Sequence, residues 1–101
     1  MIESFKTNTF EQDVLAFQEP VLVDFWAPWC VHCRVLNPLL EEFAADNGDV
    51  RIGKVNIDEE PELAKKFGIM SIPTVICIKD GKVTDKKIAP QDTEDLEELL
   101  S

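Results

Sequence analysis

Hydrophobic positions along the chain fall into short blocks whose period switches between two and about 3.6, which marks alternating strands and helices. Residues 2–5 form a weak edge-strand candidate. Thr9 followed by Gln12 matches a capping box, and Phe10, Val14, Leu15 and Phe17 give a helical spacing that should stop at Glu19-Pro20. Residues 21–26, VLVDFW, are a nearly continuous apolar run of strand length, as expected for a strand covered on both faces, with Asp24 as the interruption. From about Cys30 to Asn47 the spacing turns helical through Val35, Leu36, Leu39, Leu40, Phe43 and Ala44. Gly48 suits a left-handed C-terminal cap. Pro38, inside this helix, removes a hydrogen bond to Arg34 and predicts a kink.

Residues 50–57 read as a second inner strand. DEEP then opens a helix with Pro61 in its first turn, Leu63, Ala64 and Phe67 facing inward and Gly68 at its end. TVICI, residues 74–78, is β-branched and apolar, and Asp80-Gly81 predicts a two-residue hairpin that returns residues 82–88 antiparallel. Asp92 can cap a last helix with Leu96, Leu99 and Leu100 in one stripe. The order β-α-β-α-β-α-β-β-α predicts an α/β fold, a central mixed sheet with helices on both faces. A right-handed first crossover would set the start of the Cys30 helix at the C-terminal end of a central strand, where open α/β sheets build sites.

Size confines this pattern to one domain spanning residues 1–101, since 101 residues that are 45% hydrophobic can bury one core. The opening MIESFKTNTF is polar and no segment approaches the roughly 18 apolar residues of a span, so a soluble, unexported protein is expected. Three cysteines are too few and too odd in number for a paired extracellular framework, which favours a reducing compartment. Twenty acidic against ten basic residues, a formal charge of -10, would repel phosphate backbones and anionic lipid. Neither nucleic acid nor membrane is an expected partner, and a charge of this kind is most simply a device for solubility.

The pair Cys30/Cys33 could be a metal clip, a structural staple or a redox couple. A helix N-terminus would set the Cys30 sulfur beside unsatisfied N–H groups and the positive end of the dipole, which makes it the nucleophile. Cys33, one turn deeper, is the natural resolving thiol. His32 could stabilise the thiolate and make the protein a weaker reductant, by ~30 mV for a pKa change of about one unit. The bland alternative is an exposed helix residue with no such effect. Asp24, desolvated, should hold its proton towards neutral pH and could accept the Cys33 proton, with Lys54 as counter-ion; an Asp at a strand bulge bonded to backbone is the alternative. No intrachain metal site is expected, because adjacent His32 and Cys33 cannot join Cys30 on one ion and no second histidine exists. A cluster shared between two copies through the two cysteines ranks low, and Cys77 is most simply a core residue.

VDFWAPWCVHC, KVNIDEEPELAKKFGI, SIPT and KDGK, in this order and spacing, resemble the thioredoxin family over nearly the whole chain. The resemblance implies the thioredoxin fold and a cytoplasmic protein-disulfide reductase active in electron transport and cell redox homeostasis. Its catalytic residues would be Cys30, Cys33, Asp24 and Lys54. It implies a cis Ile72-Pro73 bond opposite the cysteines, and a substrate-binding rim of Trp29, Val31, His32, Met70, Ser71, Ile72 and Pro73. Met70, Ser71 and Ile72 would offer backbone to an extended client, while Trp26 would be packing. No bound cofactor is implied, only a reversible Cys30–Cys33 disulfide returned to the dithiol by a thioredoxin reductase that is NADPH- or ferredoxin-linked. Disulfide-containing client proteins are the other partners, and a small acidic domain suggests a monomer. Val31-His32 departs from the family's usual Gly-Pro and is similar to the protein disulfide isomerase domains; Ala89-Pro90 stands where the family has a glycine. A more oxidising isomerase or oxidase on the same fold and a non-enzymatic docking module are the rival readings.

Overall fold

In the computed structural model, which describes residues 2–101, the chain runs through β1 (Glu3–Ser4), a π-helical turn (Glu11–Leu15), β2 (Val21–Trp26), α1 (Val31–Asp46), β3 (Arg51–Asn56), α2 (Pro61–Lys66), β4 (Thr74–Lys79), β5 (Lys82–Ile88) and α3 (Thr93–Glu98). The strands make one five-stranded sheet in the order β1-β3-β2-β4-β5. Strands β1 and β2 run parallel to β3, while β4 is antiparallel to both β2 and β5. The α/β architecture and the mixed sheet expected from the element order are both present.

Central β2 is buried on both faces because VLVDFW supplies apolar side chains to each. Val21, Val23 and Phe25 pack with Phe10, Val14 and Leu63, so the π-helical turn and α2 cover that side. Leu22 packs with Leu36, Leu40, Phe43, Leu96 and Leu99, so α1 and α3 cover the other. Cys77 of β4 belongs to this second cluster as a buried free thiol, the core role read from the sequence. The Asp80-Gly81 turn has φ of 53° and 77° at its two residues, the left-handed pair that a tight hairpin between right-twisted strands requires. Asp92 caps α3 by accepting from the Asp95 N–H at 3.0 Å. Helix α1 continues through Pro38 unbroken from Val31 to Asp46.

Two sequence expectations are corrected. The first concerns the capping box: Thr9 and Gln12 do not cap a regular helix, the N-cap is Phe10, and no side chain bonds there. The Ala16 N–H instead reaches the Glu11 carbonyl at 2.9 Å, a wide five-residue step. Tertiary packing explains it. Phe10 meets the rings of Phe5 and Phe67, and the Asp13 carbonyl accepts from the Arg51 guanidinium of β3. Arg51 also donates to both Glu3 carboxylate oxygens, at 2.6 and 2.8 Å, and lies over the rings of Phe5 and Phe17. One side chain thus ties β1, the π-helical turn and β3 together, and its hydrogen bonds hold the Glu3 carboxyl below its usual range.

The second correction is at the end of α1. Gly48 is not the left-handed cap; Asn47 closes the helix, donating from its backbone N–H and its side-chain amide to the Phe43 carbonyl, each at 3.0 Å. A residue that satisfies the carbonyl with its own amide leaves glycine's conformational freedom unused. Gly68, by contrast, takes φ of 63° after α2 as expected.

The two-residue β1 is anchored by Phe5, whose ring lies where a side chain on Gly53 of β3 would stand. Gly53→Ala is therefore expected to destabilise the fold by about 1–3 kcal/mol through overpacking. Urea unfolding checks this, with an unchanged midpoint as the contrary result.

Candidate active site

Strand β2 ends at Trp26, and the chain turns through Ala27, Pro28 and Trp29 before α1 begins. Ala27 is fully buried and its carbonyl accepts from the Cys30 N–H at 3.1 Å. The Arg34 guanidinium donates to the Pro28 carbonyl at 2.8 Å, and the Trp29 indole N–H donates to Asp58 Oδ2 at 3.0 Å. These bonds fix the turn from both sides. They set Cys30 at the N-cap of α1 with extended backbone, as the helical spacing of the sequence predicts.

In the cap position the Cys30 Sγ accepts from the Cys33 N–H at 3.2 Å. No acidic residue lies in the first turn of α1, so that turn carries no negative charge against the sulfur. Cys30 and Cys33 are joined as a disulfide with their Cα atoms 5.3 Å apart. Cys30 retains 7% of its surface and Cys33 only 3%, so the more reachable sulfur is also the one at the helix dipole. Ala27, Trp26, Ile57 and Ile72 pack around the pair.

The Ile72-Pro73 bond is cis. Pro73 is buried, whereas Met70 and Ser71 are exposed, Met70 with 97% of its surface in water. The Ser71 carbonyl is occupied by the Thr74 hydroxyl at 2.7 Å, so it is less free for a client than the sequence reading assumed. Ile72 makes no backbone hydrogen bond among the described residues. His32 and Pro73 line a groove of about 350 Å³ with Val35, Leu39, Ala89 and Pro90. Ala89 holds φ of 50°, secured by its N–H donating to the Pro73 carbonyl at 2.8 Å. A non-glycine residue there carries about 1–2 kcal/mol of strain. Trp29 and Val31 stand exposed beside the cysteines.

Asp24 is buried, and neither of its carboxylate oxygens has a hydrogen-bond partner. Burial raises its pKa from 3.8 to about 7, and the nearby Lys54 charge opposes the rise. The backbone-bonded bulge is not found, since the one register shift lies at Cys77/Ile78. Lys54, the candidate counter-ion, acts on Asp24 by its charge without forming a direct ion pair with it. It sits level with Asp24 on β3, but its ammonium donates to Asn37 Oδ1 at 2.6 Å and lies 4.3 Å from the Trp26 ring centre. A neutral amide and an aromatic face satisfy the cation in place of the acid. Asn37, Asp58, Thr74 and Val35 are site residues the sequence reading did not select. A signal existed for Asn37 alone, as a polar residue one turn after Cys33 beside the apolar stripe.

Among the described residues no group of three or more His, Cys, Asp or Glu side chains is arranged to hold a metal ion. No helix among them is long and apolar enough to cross a membrane.

The thioredoxin family model matches residues 1–101. A thioredoxin of Alicyclobacillus acidocaldarius is 48% identical over 96 residues, covering 94% of this chain and 91% of the relative. A thioredoxin of Rickettsia bellii is 47% identical over 89 residues, 87% of this chain and 85% of the relative. The thioredoxin of Bacillus subtilis is 42% identical over 100 residues, 98% and 89% respectively.

A raised native pKa on Asp24 gives stability a definite pH dependence. Between pH 3.8 and about 7 the unfolded chain has lost this proton while the native chain keeps it, so stability falls as pH rises and levels off once both are ionised. Asp24→Asn removes the buried charge, so it is expected to exceed the wild type by roughly 2–4 kcal/mol near pH ~8.5 and by almost nothing near pH ~4. Denaturant titrations at both pH values check the sign. The same stability difference at each would contradict it.

Proposed function

The chain belongs to the thioredoxin family and is a thiol-disulfide oxidoreductase, and on that premise we propose a division of labour among its residues during protein-disulfide reduction. The Cys30 thiolate attacks one sulfur of a client disulfide; a Cys30–client bond forms, the client S–S bond breaks and the departing client thiolate takes up a proton. Cys33 gives its proton to Asp24 and attacks the Cys30 sulfur, which closes the Cys30–Cys33 disulfide, breaks the Cys30–client bond and releases the second client sulfur as a thiolate that takes a proton from solvent. Two electrons pass to the client. A reductase partner then supplies two electrons to restore the dithiol, as the family implies in general terms.

The observation that carries this reading is the 3.2 Å hydrogen bond from the Cys33 N–H to the Cys30 sulfur at the start of α1. A sulfur that caps a helix is stabilised as the thiolate, and the thiolate is the attacking species. Clients would lie in extended form against the Ile72 backbone, with Trp29, Val31, His32, Met70, Ser71 and Pro73 around them. Lys54 modulates Asp24 by its charge. The remaining assignments are a single domain over residues 1–101, a monomer in the cytoplasm, and a reductase drawing on NADPH or ferredoxin. The unpaired buried Cys77 favours a reducing compartment. Lys82, Lys86 and Lys87 along the edge strand β5 oppose strand-to-strand association of copies.

In an insulin-reduction assay Cys30→Ser is expected to lose all activity, while Cys33→Ser accumulates a mixed disulfide with the client. Retained turnover by Cys30→Ser would exclude the assigned order of attack. His32→Ala is expected to lower the dithiol potential by ~30 mV, because a group that favours the thiolate favours the reduced state. Equilibration against a glutathione buffer measures it, and an unmoved potential would reduce His32 to a surface residue.

A further inference from the structure

Parallel pairing puts Lys54 of β3 directly beside Asp24 of β2, so both side chains project from the same face of the sheet, the one α1 covers. An ammonium on a long flexible stem next to a buried carboxylate has every electrostatic reason to pair with it. It does not pair. Lys54 Nζ donates to Asn37 Oδ1 at 2.6 Å and rests 4.3 Å from the Trp26 ring centre, while both Asp24 oxygens stay without partners. The two groups that satisfy the cation carry no net charge, so it is held without being neutralised.

We propose that Asn37 is a positioning residue for the dithiol reaction: with Trp26 it holds the Lys54 ammonium off the Asp24 carboxylate, which leaves that carboxylate unpaired and able to accept the Cys33 proton. Lys54 then lowers the charging cost of Asp24 through space without locking it in the ionised form. Released from Asn37, the ammonium turns to Asp24 and pairs with it. A cation in direct contact typically depresses a carboxyl pKa by roughly 1–3 units, so Asp24 would sit ionised at working pH and be a weaker base. The other titratable groups on this face are Cys33 of α1, Cys77 of β4, and Asp85 and Lys87 of β5, Lys87 being paired with Glu98 of α3, which otherwise presents Leu96 and Leu99. Of the charged groups on these elements, Lys54 is the one whose charge acts on Asp24.

The functional half of the inference rests on Asp24 being the acceptor for Cys33, and the geometric half can be measured apart from it. Asn37 is exposed on α1, and alanine is the better helix former, so Asn37→Ala keeps the fold. The Asp24 carboxyl would be followed by carbon-13 NMR titration of the oxidised protein in wild type, Asn37→Ala, Lys54→Met and the double variant. The midpoint is expected to fall by roughly one pH unit or more in Asn37→Ala, to rise in Lys54→Met, and to be the same in the double variant as in Lys54→Met. An unchanged or raised midpoint in Asn37→Ala, or a further fall in the double variant, overturns the proposal. In parallel, release of a chromophoric aromatic thiol from its mixed disulfide with Cys30 reports the resolving step, and its pH profile should move with the NMR midpoint. If the midpoint moves and the rate profile does not, the positioning by Asn37 stands and the role of Asp24 as proton acceptor fails.

Discussion

A sulfur atom stands where most helices place a side-chain oxygen. Cys30 takes the extended backbone of an N-cap, and its sulfur receives the Cys33 N–H that would otherwise be an orphan of the first turn. One constraint therefore serves the fold and the chemistry together. The helix gains its cap, the sulfur gains a hydrogen bond and the positive end of a 16-residue dipole, and the second cysteine is brought one turn away with its side chain turned inward. The turn from Ala27 to Trp29 exists to hold this cap. Arg34 grips it from the helix and Asp58 grips it from the loop after β3.

Beneath the cap lies a feature that works against stability. Asp24 occupies a position in β2 that a valine would fill at far lower cost, and its oxygens have no hydrogen-bond donor. Sites that trade stability for reactivity commonly look like this. The surrounding clusters absorb the cost: Leu22, Leu36, Leu40 and Phe43 on one face and Val21, Val23 and Phe25 on the other bury β2 so fully that the strand keeps its register around a buried acid. Lys54 moderates the burden from one strand away. The strained Ala89 shows a similar trade at the rim of the groove, where its N–H fixes the carbonyl of Pro73.

The cysteine pair, the mixed sheet, the inner strands and the hairpin were legible because each rests on local chemistry that sequence spacing records directly. A CxxC that begins a helical apolar stripe can hardly lie elsewhere, and Asp80-Gly81 suits few turns other than a tight hairpin. The failures lie where a distant partner decides. Thr9 and Gln12 satisfy the capping rule, yet Arg51, from the far side of β2 in sequence, takes the Asp13 carbonyl and the turn widens. Gly48 was available as a cap, but Asn47 could reach Phe43 with two donors at once. For Lys54 the register with Asp24 was foreseeable, while the rotation of α1 that offers Asn37 and the approach of the Trp26 ring are tertiary facts.

The account stands on the ionisation of Cys30. Titrating the ultraviolet absorbance of the thiolate in reduced Cys33→Ser protein isolates that group, since Cys77 is buried in the core. A midpoint at least about one pH unit below the ~8.5 of a free thiol is expected from a sulfur held at a helix N-terminus. A midpoint at or above ~8.5 would contradict the account, because the sulfur would then gain nothing from the helix it caps.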